Sequence, residues 1–133
     1  MIELYTSCFS RIRTLPPSIE PVSIARWPAR NFRGRRIYTV APPPLAMKAK
    51  THEEYDALYF PIFHSLDPHA FLTELTAGLA PGCEAIAMLC FCEPLDYCHR
   101  RYVAEWLEQN IDGLIIPEYG FEREQCETFT EWT

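Results

Sequence analysis

A run with no polar side chain, Ala85-Ile86-Ala87-Met88-Leu89, gives way after a short Pro-containing loop to Val103, Trp106, Leu107 and Ile111 at helical spacing. The run has the length of a buried strand, so a strand hands over to a helix here, and that step constrains the fold more than any other. The hand-over gathers Cys90, Cys92, Cys98, His99, Arg100 and Arg101 around Pro94. Ligands of open α/β sheets collect at the carboxyl ends of strands, and helix N-termini present unpaired N–H groups that favour anions. Cys98, His99 and Arg100 are therefore expected where a phosphate, a carboxylate or a metal ion is met.

The rest of the chain supplies neighbours for that strand. Glu3-Leu4-Tyr5-Thr6 reads as a first strand, and Pro21 to Trp27, containing Val22, Ile24 and Ala25, as a second. Arg36 to Val40 reads as a third, ended by Ala41-Pro42-Pro43-Pro44, where three prolines forbid helix and ladder alike. Thr51-His52-Glu53-Glu54 has the capping-box form, so a helix starts there, and Pro61 is expected to disturb it. Asp67-Pro68 opens another, with Phe71, Leu72, Leu75 and Leu79 as its buried stripe and Gly82 beyond its end. Gly113-Leu114-Ile115-Ile116-Pro117 looks like a last strand. Strands alternating with helices predict an α/β fold: one compact three-layer domain, residues 1–117, with a mainly parallel sheet flanked by helices. Residues 118–133 hold five glutamates against Arg123 and are expected to form an acidic tail, packed on that domain or extending from it.

A chain of 133 residues can bury a core without disulfide staples. It has no run near the roughly 18 to 20 apolar residues of a membrane span, and Met1-Ile2-Glu3-Leu4-Tyr5 lacks the basic-then-apolar pattern of a secretory signal. The expectation is a cytoplasmic protein with no membrane partner. Its six cysteines are then reduced: small core residues, metal ligands or reactive thiols. The net charge of −6 conceals an asymmetry, because residues 1–50 hold nine Lys/Arg against Glu3 and Glu20 while residues 51–133 hold three against sixteen acids. Arg26, Arg30, Arg33, Arg35 and Arg36 are interleaved with Trp27, Phe32 and Tyr38, a mix suited to phosphate contact and stacking on bases. The plainer reading is that these arginines pair with the acidic half of the chain.

The order Tyr5-Thr6-Ser7, Ile24-Ala25-Arg26, Leu89-Cys90, Pro94 and Cys98-His99-Arg100, followed by an amphipathic helix, resembles domain of unknown function family 488 over about residues 2–110. Two positions depart from the pattern: Cys92 stands where many members have an acid, and Ile24-Ala25-Arg26 where they have Asp-Val-Arg. The resemblance implies a compact three-layer α/β domain and little chemistry, the family being largely uncharacterised.

Three functional readings follow from the residues. In the first, Tyr5, Ser7, Arg26, Cys90 and Arg100 bind a nucleotide or a nucleic-acid phosphate, His99 acts as general acid or base, and Cys98 is the candidate nucleophile. A cysteine-phosphatase loop is disfavoured, since the sixth residue after Cys90 is Asp96 and the sixth after Cys92 is Cys98, where an arginine would be needed. In the second, Cys90, Cys92, Cys98 and His99 offer a zinc ligand set, although adjacent Cys98 and His99 diverge by about 100° on a helix. No other cofactor is expected. In the third, the arginine-rich segment or the acidic tail docks a protein partner without catalysis. His52, His64 and His69 read as surface or helix-terminal residues.

Overall fold

A computed structural model of the chain describes residues 2–91 and 99–126. Strands β1 (Glu3–Cys8), β2 (Ile19–Ser23), β3 (Arg35–Arg36) and β4 (Ala85–Cys90) form one sheet in the order β1-β4-β2-β3, with every pairing parallel. Helices α1 (His52–Ser65) and α2 (Pro68–Ala77) lie between β3 and β4, and α3 (His99–Asn110) follows. The fold is an α/β domain built on a parallel sheet. β4 is its centre: all six of its residues are buried, as a strand with neighbours on both edges and cover on both faces must be.

The direction of travel across the sheet decides which segment covers which face. The chain moves one way from β1 to β2 and on to β3, and the opposite way from β3 back to β4. If all crossovers share the usual right-handed sense, opposite directions require opposite faces. Accordingly, α1 and α2 cover the face carrying Val22, Ile86 and Met88, through Tyr59, Phe63, Phe71 and Leu75. The other face, carrying Ala85, Ala87 and Leu89, is covered by Phe9, Ile12 and Leu15 of the β1–β2 connection and by Ala29 and Phe32 of the β2–β3 connection. These connections hold a 3-10 turn at Phe9–Thr14 and irregular backbone. The three α-helices of the described residues therefore sit on one face, α3 adding Tyr102, Val103, Trp106 and Leu107 to the same core.

Local sequence explains the helix boundaries. The Thr51 hydroxyl accepts the Glu54 N–H at 3.1 Å, and the Glu54 carboxylate reaches back to the Lys50 N–H at 3.2 Å. Asp67 Oδ1 caps α2 by accepting the His69 and Ala70 N–H groups, with Pro68 at the first helical position. Helix α1 runs through Pro61 to Ser65, where a disturbance was expected. Pro61 is on the exposed side, so the carbonyl that loses its helical donor is left to water. A stack of Tyr59, Phe60 and Tyr102 joins α1 to α3, closed by the Tyr102 hydroxyl donating to Asp56 and the Tyr59 hydroxyl donating to the Val40 carbonyl at 2.6 Å.

Two predicted strands are shorter than expected and one is not formed. β2 ends at Ser23, although Ile24 still donates to the Leu89 carbonyl at 3.1 Å. β3 is only Arg35–Arg36, although Ile37 N–H still donates to the Ser23 carbonyl at 2.9 Å, and Arg35 turns its guanidinium onto Glu20 and onto the Glu74 and Leu75 carbonyls at the end of α2, where a cation meets a helix C-terminus. Gly113 to Pro117 leaves α3 through a left-handed Gly113 (φ +79°) and makes no ladder. Pro117 contributes only its carbonyl, which accepts from Thr6 N–H at 3.0 Å, and the pairing with the outer edge of β1 is the single bridge Thr6–Glu118. Among the described residues no helix is long and apolar enough to cross a membrane.

Gly34 permits the close return of the β2–β3 connection, since a Cβ there would stand 2.5 Å from the Phe32 ring and 2.9 Å from the Pro21 carbonyl oxygen. Gly34→Ala is expected to cost about 1–3 kcal/mol by overpacking, read as a lower urea midpoint at unchanged m-value. A midpoint equal to that of the parent chain would mean that the connection yields freely and does not hold its sheet face.

Candidate functional site

Two layers meet at the carboxyl end of the sheet. The inner layer is a buried polar network. Arg100, fully buried, donates through Nε and Nη2 to both oxygens of Glu118 at 3.0 and 2.9 Å, and through Nη1 to Cys90 Sγ at 2.9 Å. The Thr6 hydroxyl donates to Glu118 Oε1 at 2.6 Å, and Arg101 Nη1 donates to Thr6 Oγ1 and the Ile116 carbonyl, both at 2.8 Å. Arg101 is also buried, and its Nε and Nη2 have no hydrogen-bond partner among the described residues. Burial pushes its guanidinium below the ordinary arginine value. Two cations in the first turn of a helix oppose its dipole, so one well-placed carboxylate is required beneath them.

The outer layer is a cavity of about 290 Å³. Ala25, Arg26 and Trp27, just beyond β2, form one side; Phe91, just beyond β4, and His99, opening α3, form another; Lys50, His52 and Tyr55 close it at the start of α1. The position has a topological reason. The chain leaving β2 passes to β3 on one side, and the chain leaving β4 passes through α3 to Glu118, beyond β1 on the other. Connections that depart in opposite directions open a crevice between the two strand ends, the usual ligand position in open parallel sheets.

Arg26 is half-buried and held by Nε to the Pro42 carbonyl at 2.9 Å and by Nη2 to the Ala41 carbonyl at 3.3 Å. The expected Pro-rich loop is thus what orients this arginine. His99 Nε2 lies 3.3 Å from the Ile24 carbonyl, which can only accept, so this nitrogen carries the proton and Nδ1 is the acceptor of the neutral ring. Burial holds the imidazole below its ordinary value of 6.5; Cys90 and the Ile24 carbonyl pull it up and Arg100 pushes it further down. A neutral His99 at the cavity wall is able to take a proton rather than give one.

The predicted site residues therefore separate. Arg26 and His99 line the cavity. Cys90 and Arg100 bond to one another in the layer beneath, and neither is among the residues lining the cavity. Tyr5 points to the opposite sheet face, packs edge-on against Tyr119 at 5.4 Å and donates to Glu3 at 2.8 Å, an interaction that raises its pKa. Ser7 shares that face and is buried, with no partner for its hydroxyl among the described residues. Strand alternation explains the separation, because Thr6 faces the network while Tyr5 and Ser7 face away. Cys92 and Cys98 lie outside the described residues. Among the described residues no group of three or more His, Cys, Asp or Glu is placed to hold a metal ion.

Sequence reasoning missed Glu118, which it assigned to an acidic tail, and Lys50, His52 and Tyr55 at the start of α1. The capping box at Thr51 marked the helix start, but nothing in the sequence placed that start beside Arg26. Among the described residues the one ion pair within 26–36 joins Arg35 to Glu20, an acid of the basic half itself, and no arginine of that segment pairs with a carboxylate of the acidic half. Compared with protein-family models, with curated proteins and with solved structures, the chain gives no match.

Glu118→Ala leaves Arg100 buried without its carboxylate and is expected to cost about 3–5 kcal/mol in urea unfolding. The double variant Arg100→Met, Glu118→Leu should recover most of that loss; equal destabilisation in single and double variants would show that the charges contribute nothing beyond packing.

His99 gives the stability a pH dependence of fixed sign. The unfolded chain takes up a proton at His99 near pH 6.5 and the folded chain only at lower pH, so this contribution is intact above that value and lost as pH falls through it. The parent chain is expected to lose up to about 1.4 kcal/mol per pH unit below about pH 6.5 relative to His99→Gln, measured as urea midpoints. Parallel pH profiles for the two chains would mean that the folded protein protonates His99 freely.

Proposed function

We propose that the cavity between β2, β4 and the start of α1 binds a small phosphate-bearing ligand of nucleotide type. The observation that carries this reading is the composition of the cavity wall: Arg26, Lys50 and two imidazoles with Trp27, Tyr55 and Phe91, and no carboxylate among the described lining residues. Cations supply charge-assisted hydrogen bonds to phosphate oxygens, and the N-terminus of the 14-residue α1 adds its positive end. Glu53 and Glu54 stand in the first turn of α1, but Glu54 is occupied in capping. Exposed Trp27 and Phe91 offer flat apolar faces to a base. The volume is at the lower end of the roughly 300–1,000 Å³ typical of ligand pockets, which suits one nucleotide rather than a dinucleotide cofactor.

In this reading Arg26, held by two loop carbonyls, meets the phosphate in a fixed orientation, and neutral His99 accepts a proton from a bound hydroxyl or water. Cys98, next to His99 in sequence, remains the proposed nucleophile. Arg100 and Cys90 support the site from beneath instead of touching ligand. Membership of domain of unknown function family 488 belongs to the same reading and rests on the Cys90, Cys98, His99 and Arg100 pattern.

Isothermal titration with adenosine monophosphate and with inorganic phosphate tests the reading. Both should bind, and Arg26→Ala and Lys50→Ala should each weaken binding about tenfold or more, the loss of one charge-assisted hydrogen bond of about 1.5–3 kcal/mol. Phe91→Ala should weaken the nucleotide but not phosphate. Absence of binding by both ligands at millimolar concentration would overturn the proposal.

A further inference from the structure

The nucleotide cavity does not end in bare solvent on its Phe91 side. Phe91 contacts Phe9 at 4.8 Å between ring centroids, and Phe9 contacts Phe32 at 5.3 Å, so a row of rings leads from the carboxyl end of β4 onto the sheet face that carries Ala85, Ala87 and Leu89. The row reaches a second cavity of about 280 Å³, with Phe9, Phe32, Asn31 and Arg33 in its wall. Trp27, in the wall of the first cavity, and Arg30 are exposed on the same β2–β3 connection.

Charge separates these two cavities from the others. Their described lining residues include Arg26, Lys50 and Arg33 and no Asp or Glu. The cavities near the amino ends of the strands are lined by Glu3, and one of them by Glu84 as well. Arg30 and Arg33 make no hydrogen bond or ion pair with the described residues and are exposed, whereas Arg35 is held by Glu20. In a chain whose net charge is −6, a basic strip along the β2–β3 connection with no ion pair at Arg30 or Arg33 among the described residues is a local feature with its own occupant.

We propose that this strip binds single-stranded nucleic acid, one nucleotide entering the first cavity and the strand running over the exposed rings of Phe91 and Trp27 toward Arg30 and Arg33. The inference rests on the nucleotide reading of the first cavity and extends it to a polymer. Arginines interleaved with exposed aromatic rings match alternating phosphates and bases, because stacking accepts any base and guanidinium groups follow the backbone. An acidic peptide would use the cations and leave the aromatic faces without a partner.

Fluorescence anisotropy of the full chain with a fluorescein-labelled oligothymidylate of about twelve nucleotides tests this. Binding should fall as potassium chloride rises, with a log–log slope of about −0.7 for each phosphate contacted. Arg30→Glu with Arg33→Glu should weaken the oligonucleotide at least tenfold and leave adenosine monophosphate affinity unchanged, and Trp27→Ala should weaken it at least about fivefold. Circular dichroism melting of each variant, expected to match the parent, confirms that the fold is kept. Mononucleotide binding without oligonucleotide binding overturns the strip and spares the cavity; binding of neither overturns both. Oligonucleotide binding that survives the double charge reversal, or that polyglutamate competes away as well as unlabelled oligothymidylate, also overturns the proposal.

Discussion

The buried pair of Arg100 and Glu118 is the contact through which the carboxyl end of the sheet is assembled. The guanidinium divides its donors between two partners, with Nε and Nη2 on the carboxylate and Nη1 on Cys90 at the end of the central strand. The same carboxylate accepts from Thr6 of β1, and the backbone on either side of Glu118 bridges the edge of that strand. One side-chain pair thus fixes the start of α3 relative to β1, β4 and residues 116–119. Desolvating such a pair is costly, and an apolar replacement of the same shape often holds a fold equally well. What an apolar cluster lacks is direction, and here direction sets where His99, the residue before Arg100, enters the cavity.

That coupling separates support from ligand contact. The network of Arg100, Arg101, Thr6 and Glu118 lies under the sheet end, fully enclosed, while the cavity above it is bordered by half-exposed groups. His99 belongs to both layers: its Nε2 proton is donated to the Ile24 carbonyl just beyond β2, and its ring forms part of the cavity wall. Its depressed affinity for protons comes first from burial and then from Arg100, so the structural cation also tunes the candidate base. Arg26 is positioned differently, by carbonyls of a loop whose prolines leave those oxygens without donors of their own.

The strand-to-helix step at Ala85–Leu89, the caps at Thr51 and Asp67 and the α/β class were legible in the sequence because each rests on local periodicity or local hydrogen bonding. Glu118 was not, since its role depends on a contact eighteen residues back along the chain, and a glutamate among glutamates carries no local mark. Tyr5 and Ser7 were grouped with Arg26 because all three lie near strand ends. Membership of one sheet end says nothing about the face, and the alternation along β1 sends them to the side opposite Thr6. Gly113–Pro117 read as a strand from its apolar content, yet a proline and a left-handed glycine at its limits left it a single bridge to β1.

The uneven distribution of charge along the sequence becomes spatial through the handedness of the crossovers. The basic first third supplies the connections β1 to β2 to β3, which move one way and cover one face with turns and loops; the acidic remainder supplies the helices, which return the other way and cover the opposite face. The arginines at 30 and 33 therefore lie on the connection that covers the face opposite the helices, and among the described residues no carboxylate pairs with them. Had the acidic residues lain in the β2–β3 connection instead, the same fold would present a neutral loop surface there. The polarity of this surface follows from sequence order and topology together, and neither alone determines it.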